Sequence, residues 1–329
     1  MSQVTFVQSI NQALHDAMED DARVLVLGED VGDAEGGGVV GITKGLSQAF
    51  GCERVKSTPI SEQAIMGAAI GAALKGFRPV AEIMLMNFTT VASDMIVNHA
   101  AKLRFMSGGQ TSVPLVVRTM TGAGVSNGGQ HSDYLEAWYA HTAGLKVVLP
   151  STPADAYGLM RACIDDPDPC IFVETLPALF NKGEAPVRGS RVPLGKAAVL
   201  REGRDVSVIG YGRIIQSVAQ LADRLAGEGV SMEVIDLRTV SPFDKEAVLA
   251  SVRKTGAAVV VHEAVREFGV GSEISSLIHE EAFAALRAPV RRIGAKFAPV
   301  PFSKPLETAS LPSLDEVEAA VRELAAVTA

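Results

Sequence analysis

Val24-Leu25-Val26-Leu27 is a continuous apolar run of four residues that ends on Gly28-Glu29-Asp30. A strand buried on both faces reads this way, because helices cover both sides of a parallel sheet. Similar runs recur at 113–117, 146–149 and 170–174. Stretches with helical spacing lie between them, near 62–75, 90–106 and 153–164. Ahead of them Phe6, Ile10, Leu14 and Met18 recur every fourth residue and predict an amphipathic first helix. Strands alternating with helices predict an α/β fold with a layered sheet, whose ligands bind beyond the carboxyl ends of the strands. Glu29 falls at such an end.

The pattern stops and then resumes. Pro177 to Gly195 has three prolines, three glycines and no period, and reads as a connection between domains. A second α/β set follows, with strands near 205–210, 231–236, 257–262 and 289–293. Its helices are near 213–226, 244–253, 272–286 and 313–326. The expected organisation is a first domain over 1–180, a linker over 181–196 and a second domain over 197–329, which suits a chain of 329 residues. Asp315, Glu316, Glu318 and Glu323 on the last helix read as a solvated face.

Composition excludes several classes. With 38 acids against 30 bases the net charge is −8, which argues against nucleic acid, whose phosphates need clustered Lys and Arg. The longest apolar run, Ala64 to Leu74, has 11 residues, far short of the roughly 20 that span a bilayer. The first residues show no basic-then-apolar leader. Cys52, Cys163 and Cys170 have no CxxC spacing, so reduced thiols in a cytoplasm are expected. A mean hydropathy of +0.22 suggests that partners cover part of the surface.

Few side chains stand out for chemistry. Ser61 has the N-cap residue type, and the helix it opens is rich in Ala64, Gly67, Ala68, Gly71 and Ala72, a face that permits tight packing. Glu62 in the first turn has two readings. One is an ordinary acid favoured by the helix dipole. The other is a carboxyl that retains a proton because Pro59, Ile60, Ile65 and Met66 surround it with apolar groups. His131 follows Gly128-Gly129-Gln130 in a loop after a strand, where an imidazole is either idle or moves a proton near neutral pH. Phe88 reads as core, and Asp94 and Asn98 share a helix face one turn apart. His262 ends a strand and reads as structural. No HExxH, no GxxxxGK[ST] and no GxGxxG directly after a strand is present, and a Ser-His-Asp hydrolase finds no support.

The ordered set of motifs resembles one family closely and nearly end to end. It comprises Gly28-Glu29-Asp30-Val31, Arg54-Val55, Thr58-Pro59-Ile60-Ser61-Glu62, Ala100-Ala101-Lys102-Leu103-Arg104 and Ser107-Gly108-Gly109-Gln110. It continues through Gln130-His131-Ser132, Gly144 to Pro150, Asp155-Ala156 and Ile235-Asp236-Leu237-Arg238-Thr239-Val240-Ser241-Pro242. The chain resembles the beta subunit of thiamine-diphosphate-dependent 2-oxo acid dehydrogenases of the pyruvate and acetoin type.

The resemblance implies a pyrimidine-binding domain followed by a transketolase C-terminal-type domain. It implies that Glu62 hydrogen-bonds the cofactor's aminopyrimidine ring and thereby helps remove the thiazolium proton, so that a 2-oxo acid is attacked and carbon dioxide leaves. It also implies that Phe88 packs on the pyrimidine and that Met84 and Glu29 face the cofactor. His131 would steady substrate or pass a proton during acyl transfer to lipoamide. Glu29 and Asp94 would line a proton channel between two active sites. Carbonyls at Leu115, Cys163, Ile164, Asp166 and Asp168 would hold a monovalent cation, K⁺ in kind. The diphosphate and its Mg²⁺ would be held by an alpha subunit, in an α₂β₂ heterotetramer that feeds a dihydrolipoyl acyltransferase core. The chain departs from the family pattern at Asp133-Tyr134 after His131-Ser132, at Ala143, at Ser57 and at Met95, all near the mouth or floor of the expected site. Two rivals follow from the same residues: a split transketolase half moving a ketol unit to a sugar, and a noncatalytic scaffold for an alpha chain.

Overall fold

The computed structural model describes residues 3–327. The chain divides into two units. The first comprises residues up to Thr121 together with Trp138–Leu194; the second comprises Gly122–Ala137 and the chain from Gly195.

In the first unit β1 (Gln3–Thr5) leads into α1 (Phe6–Asp20). A capping box closes the start of α1: the Thr5 hydroxyl accepts from the Gln8 amide while the Gln8 side chain accepts from the Thr5 amide. The four-residue spacing buries Phe6, Ile10, Leu14 and Met18 in the core. Then follow β2 (Val24–Glu29), α2 (Leu46–Phe50), β3 (Val55–Thr58), α3 (Glu62–Leu74) and β4 (Arg78–Leu85). Next come α4 (Leu103–Met106), β5 (Val116–Thr121), α5 (Glu136–Ala140), β6 (Lys146–Val148), α6 (Pro153–Asp165), β7 (Cys170–Thr175) and β8 (Lys182–Glu184). Thr152 caps α6 by accepting from the Asp155 amide, and Pro153 occupies the first turn, where its missing N–H costs nothing. Helix α1 packs on α6, where the Ser9 hydroxyl donates to the Pro153 carbonyl at 2.5 Å and the Tyr157 hydroxyl to Asp16 at 2.6 Å.

Six strands of this unit form a sheet in the order β6-β7-β5-β4-β2-β3, and every neighbouring pair is parallel. The chain leaves β2 towards β3 on one side and leaves β4 towards β5 on the other. The order therefore reverses between β2 and β4, and a crevice opens there at the carboxyl ends. Gly28 stands opposite Glu82 in this pair. A Cβ on Gly28 would lie 2.8 Å from the Glu82 carbonyl oxygen, so the close approach of the two strands requires glycine.

Two expectations are corrected. The strand expected over 113–117 runs instead from Val116 to Thr121. Its apolar run stops in sequence at Arg118, but that guanidinium is fully buried and ion-paired to both neighbouring strands, so the strand continues. The single helix expected over 90–106 is a 3₁₀ turn (Met86–Thr90), a π-helical turn (Met95–Ala100) and the short α4. Residues 182–192, within the expected linker, pack on the first unit: β8 pairs antiparallel with β1, the Gly189 amide donates to the Tyr157 hydroxyl at 2.8 Å, and Val192 packs against the core.

The second unit holds β9 (Ala198–Arg201), β10 (Val206–Gly210), α7 (Arg213–Ala226), β11 (Met232–Asp236), β12 (Thr239–Ser241) and α8 (Lys245–Thr255). It ends with β13 (Ala258–Val265), α9 (Val270–Ala282), β14 (Arg291–Ala295), α10 (Lys304–Ser310) and α11 (Leu314–Ala325). Its sheet runs β14-β13-β10-β11-β9, with β9 antiparallel and the rest parallel. Buried Val206, Val208, Val259 and Val261 pack with the apolar sides of α7 and α11. The acids of α11 are not merely solvated. Glu318 is held by Arg224 and Arg322, whose hydrogen bonds pull its carboxyl down to about 2; Glu323 meets Arg291, and Glu316 completes a capping box with Ser313. No helix among the described residues is long and apolar enough to cross a membrane.

Candidate active site

The strand reversal of the first unit gathers carboxyls. Glu29 closes β2, Glu82 lies on neighbouring β4, and Glu62 is the first residue of α3, which follows β3. Burial, and then repulsion from Asp30, Glu62 and Glu82, hold the half-buried Glu29 carboxyl above the ordinary carboxylate range. A carboxyl whose proton affinity is raised by a neighbouring carboxyl is suited to exchanging protons with it.

The expected apolar setting of Glu62 is half present. Ile65 and Met66 are buried beneath it, whereas Ile60 is 75% exposed. Ser61 takes the N-cap position, but its hydroxyl makes no cap hydrogen bond, because its backbone (φ −163°, ψ 81°) departs from the usual cap geometry. On α3, Ala64, Ala68 and Gly71 face outward, and a Cβ on Gly71 would meet nothing within 4 Å. This helix presents a smooth, small-residue surface to its surroundings.

Met84 lies near the end of β4 and Phe88 in the 3₁₀ turn after it, both partly buried. That turn is pinned by Thr89, which donates to the Met86 carbonyl at 2.5 Å and accepts from the Tyr139 hydroxyl. Asp94 is exposed. It accepts from the Asn98 amide at 2.8 Å and lies 3.6 Å from His99 Nε2, so the shared face expected for Asp94 and Asn98 is real, but on a π-helical turn.

Behind Glu82 lies a group that sequence reading missed. Arg118 donates to Glu82 and to Glu174, each at 2.5 Å, and all three are buried on β4, β5 and β7. Burial works against the Arg118 charge, but the two carboxylates overcome it and hold the guanidinium protonated. Burial outweighs Arg118 at Glu174, which is pushed up to about 7.

His131 belongs to the second unit, at the end of a 3₁₀ turn (Gly129–His131), and is partly buried. Its loop contains a spacing that sequence reading passed over: Gly124-Val125-Ser126-Asn127-Gly128 has GxSxG order, and Ser126 has φ +60°. A nucleophile elbow needs a helix directly after the serine. Here a single 3₁₀ turn follows, and Ser126 Oγ lies 3.4 Å from a Glu307 carboxylate oxygen. The hydrolase reading stays unsupported.

The far end of the loop is fixed by Glu136, which accepts from the Tyr211 hydroxyl at 2.7 Å. Tyr211 stacks on His262, a buried imidazole whose Nδ1 meets the Ala264 carbonyl and which burial pushes down to about 4. The structural reading of His262 holds. Burial raises the Glu136 carboxyl to about 7. The folded state therefore binds this proton more tightly than the unfolded state. The associated stability is fully present below about pH 4.5 and is lost as pH rises through 7. Glu136→Gln should accordingly reduce the fall in unfolding free energy between pH 5 and 8, measured in urea, by about 3 kcal/mol. Equal slopes in mutant and wild type would contradict this.

The five positions expected to offer carbonyls to a cation lie in the first unit: Leu115 before β5, Cys163 and Ile164 in the last turn of α6, and Asp166 and Asp168 in the turn between α6 and β7. The Leu115 carbonyl accepts from the Cys170 amide at 2.9 Å, and the Ile164 carbonyl from Arg78 at 2.7 Å. The Cys163 carbonyl accepts from the Asp166 amide, and Lys146 sits 2.5 Å from both Asp166 carboxylate oxygens, with Arg104 on Asp168. Each carbonyl keeps a second lone pair. Among the described residues His15, Asp16 and Glu19 have the spacing of metal ligands, but Tyr157 and Arg188 already hold those carboxylates.

Residues 2–180 match the family described as transketolase, pyrimidine binding domain, and residues 195–317 that described as transketolase, C-terminal domain. The chain is 44% identical to a 2-oxoisovalerate dehydrogenase subunit beta of Bacillus subtilis, covering 99% of each. It is 43% identical to an acetoin:2,6-dichlorophenolindophenol oxidoreductase subunit beta of Cupriavidus necator, covering 96% of this chain and 95% of that one. It is 41% identical to a pyruvate dehydrogenase E1 component subunit beta of Bacillus subtilis, covering 98% and 99%. A solved split-gene transketolase, described as an inactive beta4 tetramer, shares the fold with a TM-score of 0.82 and 22% identity over 99% of each chain.

Proposed function

The chain belongs to the beta subunits of thiamine-diphosphate-dependent 2-oxo acid dehydrogenases, and from that membership we propose that it forms its active site only against an alpha chain, where it takes part in decarboxylating a 2-oxo acid. The observation that carries the proposal is the placement of Glu62, at the start of α3, near enough to Glu29 at the strand reversal to help raise its proton affinity. Half-buried acids with buried Ile65 and Met66 beneath them suit an aminopyrimidine, which needs a carboxyl partner for a ring nitrogen and apolar contact for its face. The residues fit the cofactor.

When bound, thiamine diphosphate supplies a carbon nucleophile and a sink for the electron pair that carbon dioxide leaves behind. In the proposal Glu62 holds and shares the proton at the pyrimidine nitrogen. Phe88 and Met84 line the ring. Glu29, with Asp94 further out, exchanges protons with Glu62. His131 acts on the acyl group as it passes to lipoamide. Diphosphate and Mg²⁺ fall to the alpha chain, since no phosphate-binding loop is found in this sequence. The proposal further includes an α₂β₂ assembly, an acyltransferase core as acceptor, a K⁺ on the carbonyls of Leu115, Cys163, Ile164, Asp166 and Asp168, and a cytoplasmic setting.

The curated relatives name 2-oxoisovalerate, acetoin and pyruvate at 44, 43 and 41% identity, a spread too narrow to choose a substrate. They favour the dehydrogenase over the transketolase rival, whose solved representative shares 22% of residues and so speaks for the fold. The test combines this chain with an alpha chain, thiamine diphosphate, Mg²⁺ and a panel of 2-oxo acids. Substrate-dependent reduction of a dye acceptor is the expected result. Ketol transfer from a sugar phosphate, with no decarboxylation, would favour the rival.

A further inference from the structure

We propose that Glu307 is a positioning residue for His131, acting by clamping the loop that carries it; the proposal rests on the acyl-transfer role assigned to His131 above. Glu307 lies on α10 in the second unit and is fully buried. One of its carboxylate oxygens accepts from the Gly124 amide at 2.6 Å and from the Ser126 amide at 3.0 Å. The other lies 3.4 Å from Ser126 Oγ and 3.2 Å from Lys304 Nζ. Lys304 also donates to the Gly124 carbonyl, so one ion pair holds both the donors and the acceptor of a single turn.

That turn needs holding. Gly122, Gly124, Ser126 and Gly128 all have positive φ, and for Ser126 this is a strained conformation that persists only where its surroundings enforce it. Burial opposes the charge on Glu307, yet the Gly124 and Ser126 amides and Lys304 overcome it and keep the carboxyl below the ordinary range. A buried, ionised carboxylate spent on two backbone amides of a loop and on the lysine that caps the same turn is expensive as mere packing.

The same segment fixes the next residues. The ring of Phe302 covers Gly128, where any Cβ would come within 2.4 Å of it, and Pro299 lies against Gly129, two residues before His131. Beyond His131 the loop is tied again, by Tyr134 to Glu263, itself paired with Arg213, and by Glu136 to Tyr211. His131 thus sits between two anchors, and the anchor on its amino side is Glu307. Releasing it lets the imidazole drift, and a displacement of about 1 Å costs about 100-fold where orientation matters.

The experiment uses the reconstituted two-chain enzyme with Glu307→Gln, which keeps volume, and Glu307→Ala. Reductive acylation of lipoamide should fall by about 10- to 100-fold in Glu307→Ala, with a smaller loss in Glu307→Gln. Adding Glu307→Ala to His131→Ala should cost nothing further, because both changes remove the same contribution. Hydrogen exchange at the Gly124 and Ser126 amides should accelerate in both single variants. An additive double mutant, or unchanged acylation or exchange in Glu307→Ala beside an impaired His131→Ala, overturns the positioning role alone. Wild-type acylation in His131→Ala overturns the reading of His131 and the positioning role with it.

Discussion

Glu62→Ala in the assembled enzyme should lower turnover by about 100- to 10,000-fold, the usual contribution of a positioned proton-transfer group. Stability should barely change. Glu62 is half-buried in the first turn of α3, where a carboxylate gains about 0.3–1 kcal/mol from the helix N-terminus. The two readings of this residue made from sequence therefore separate cleanly. If Glu62 is an ordinary first-turn acid, the mutant is slightly less stable and fully active. If it handles the pyrimidine proton, the mutant is folded and nearly inactive. Steady-state turnover and thermal unfolding on one preparation decide between them, and unaltered turnover would sink the mechanism.

Arg118→Met should produce the largest stability loss, about 3–5 kcal/mol, because removing one partner of a buried ionic group strands the others. Glu82 and Glu174 lie within 2.5 Å of the guanidinium on either side and are almost wholly buried. Without Arg118 the Glu174 carboxyl is pushed up further, and it then contributes stability that is present at low pH and lost as pH rises through its folded pKa. Glu174, already raised to about 7 with Arg118 in place, shows the direction. The deficit should be smaller at pH 5 than at pH 8 in urea unfolding. A loss below about 1 kcal/mol at pH 8 would mean that the triad relaxes or admits water.

Much of this architecture was legible because strand and helix periods differ. The run Val24–Leu27, the α1 stripe and the extents of α3 and α7 emerged close to where expected. What escaped was polar matter inside apolar elements. Arg118 ended a strand on paper and not in space, because its charge is met by residues 36 and 56 positions away. The π-helical turn at Met95–Ala100 leaves no mark in a hydrophobic pattern that tolerates a one-residue insertion. The packing of 181–194 on the first unit rests on backbone pairing of β8 with β1, which Gly183 and its neighbours do not advertise. Glu62, Glu29 and His131, to which the proposed function assigns roles, were singled out by motif. Glu307 was invisible, since its partners are backbone amides 181 and 183 positions away.

The measurement that bears most directly on the central claim is the 2-oxo acid assay run with each chain omitted in turn and then with the two titrated together. The account predicts no turnover by this chain alone, none by the alpha chain alone, and activity that saturates when the two chains are equal in number. Turnover by this chain without a partner would contradict it, because the cofactor's diphosphate would then be held by residues that no motif here provides.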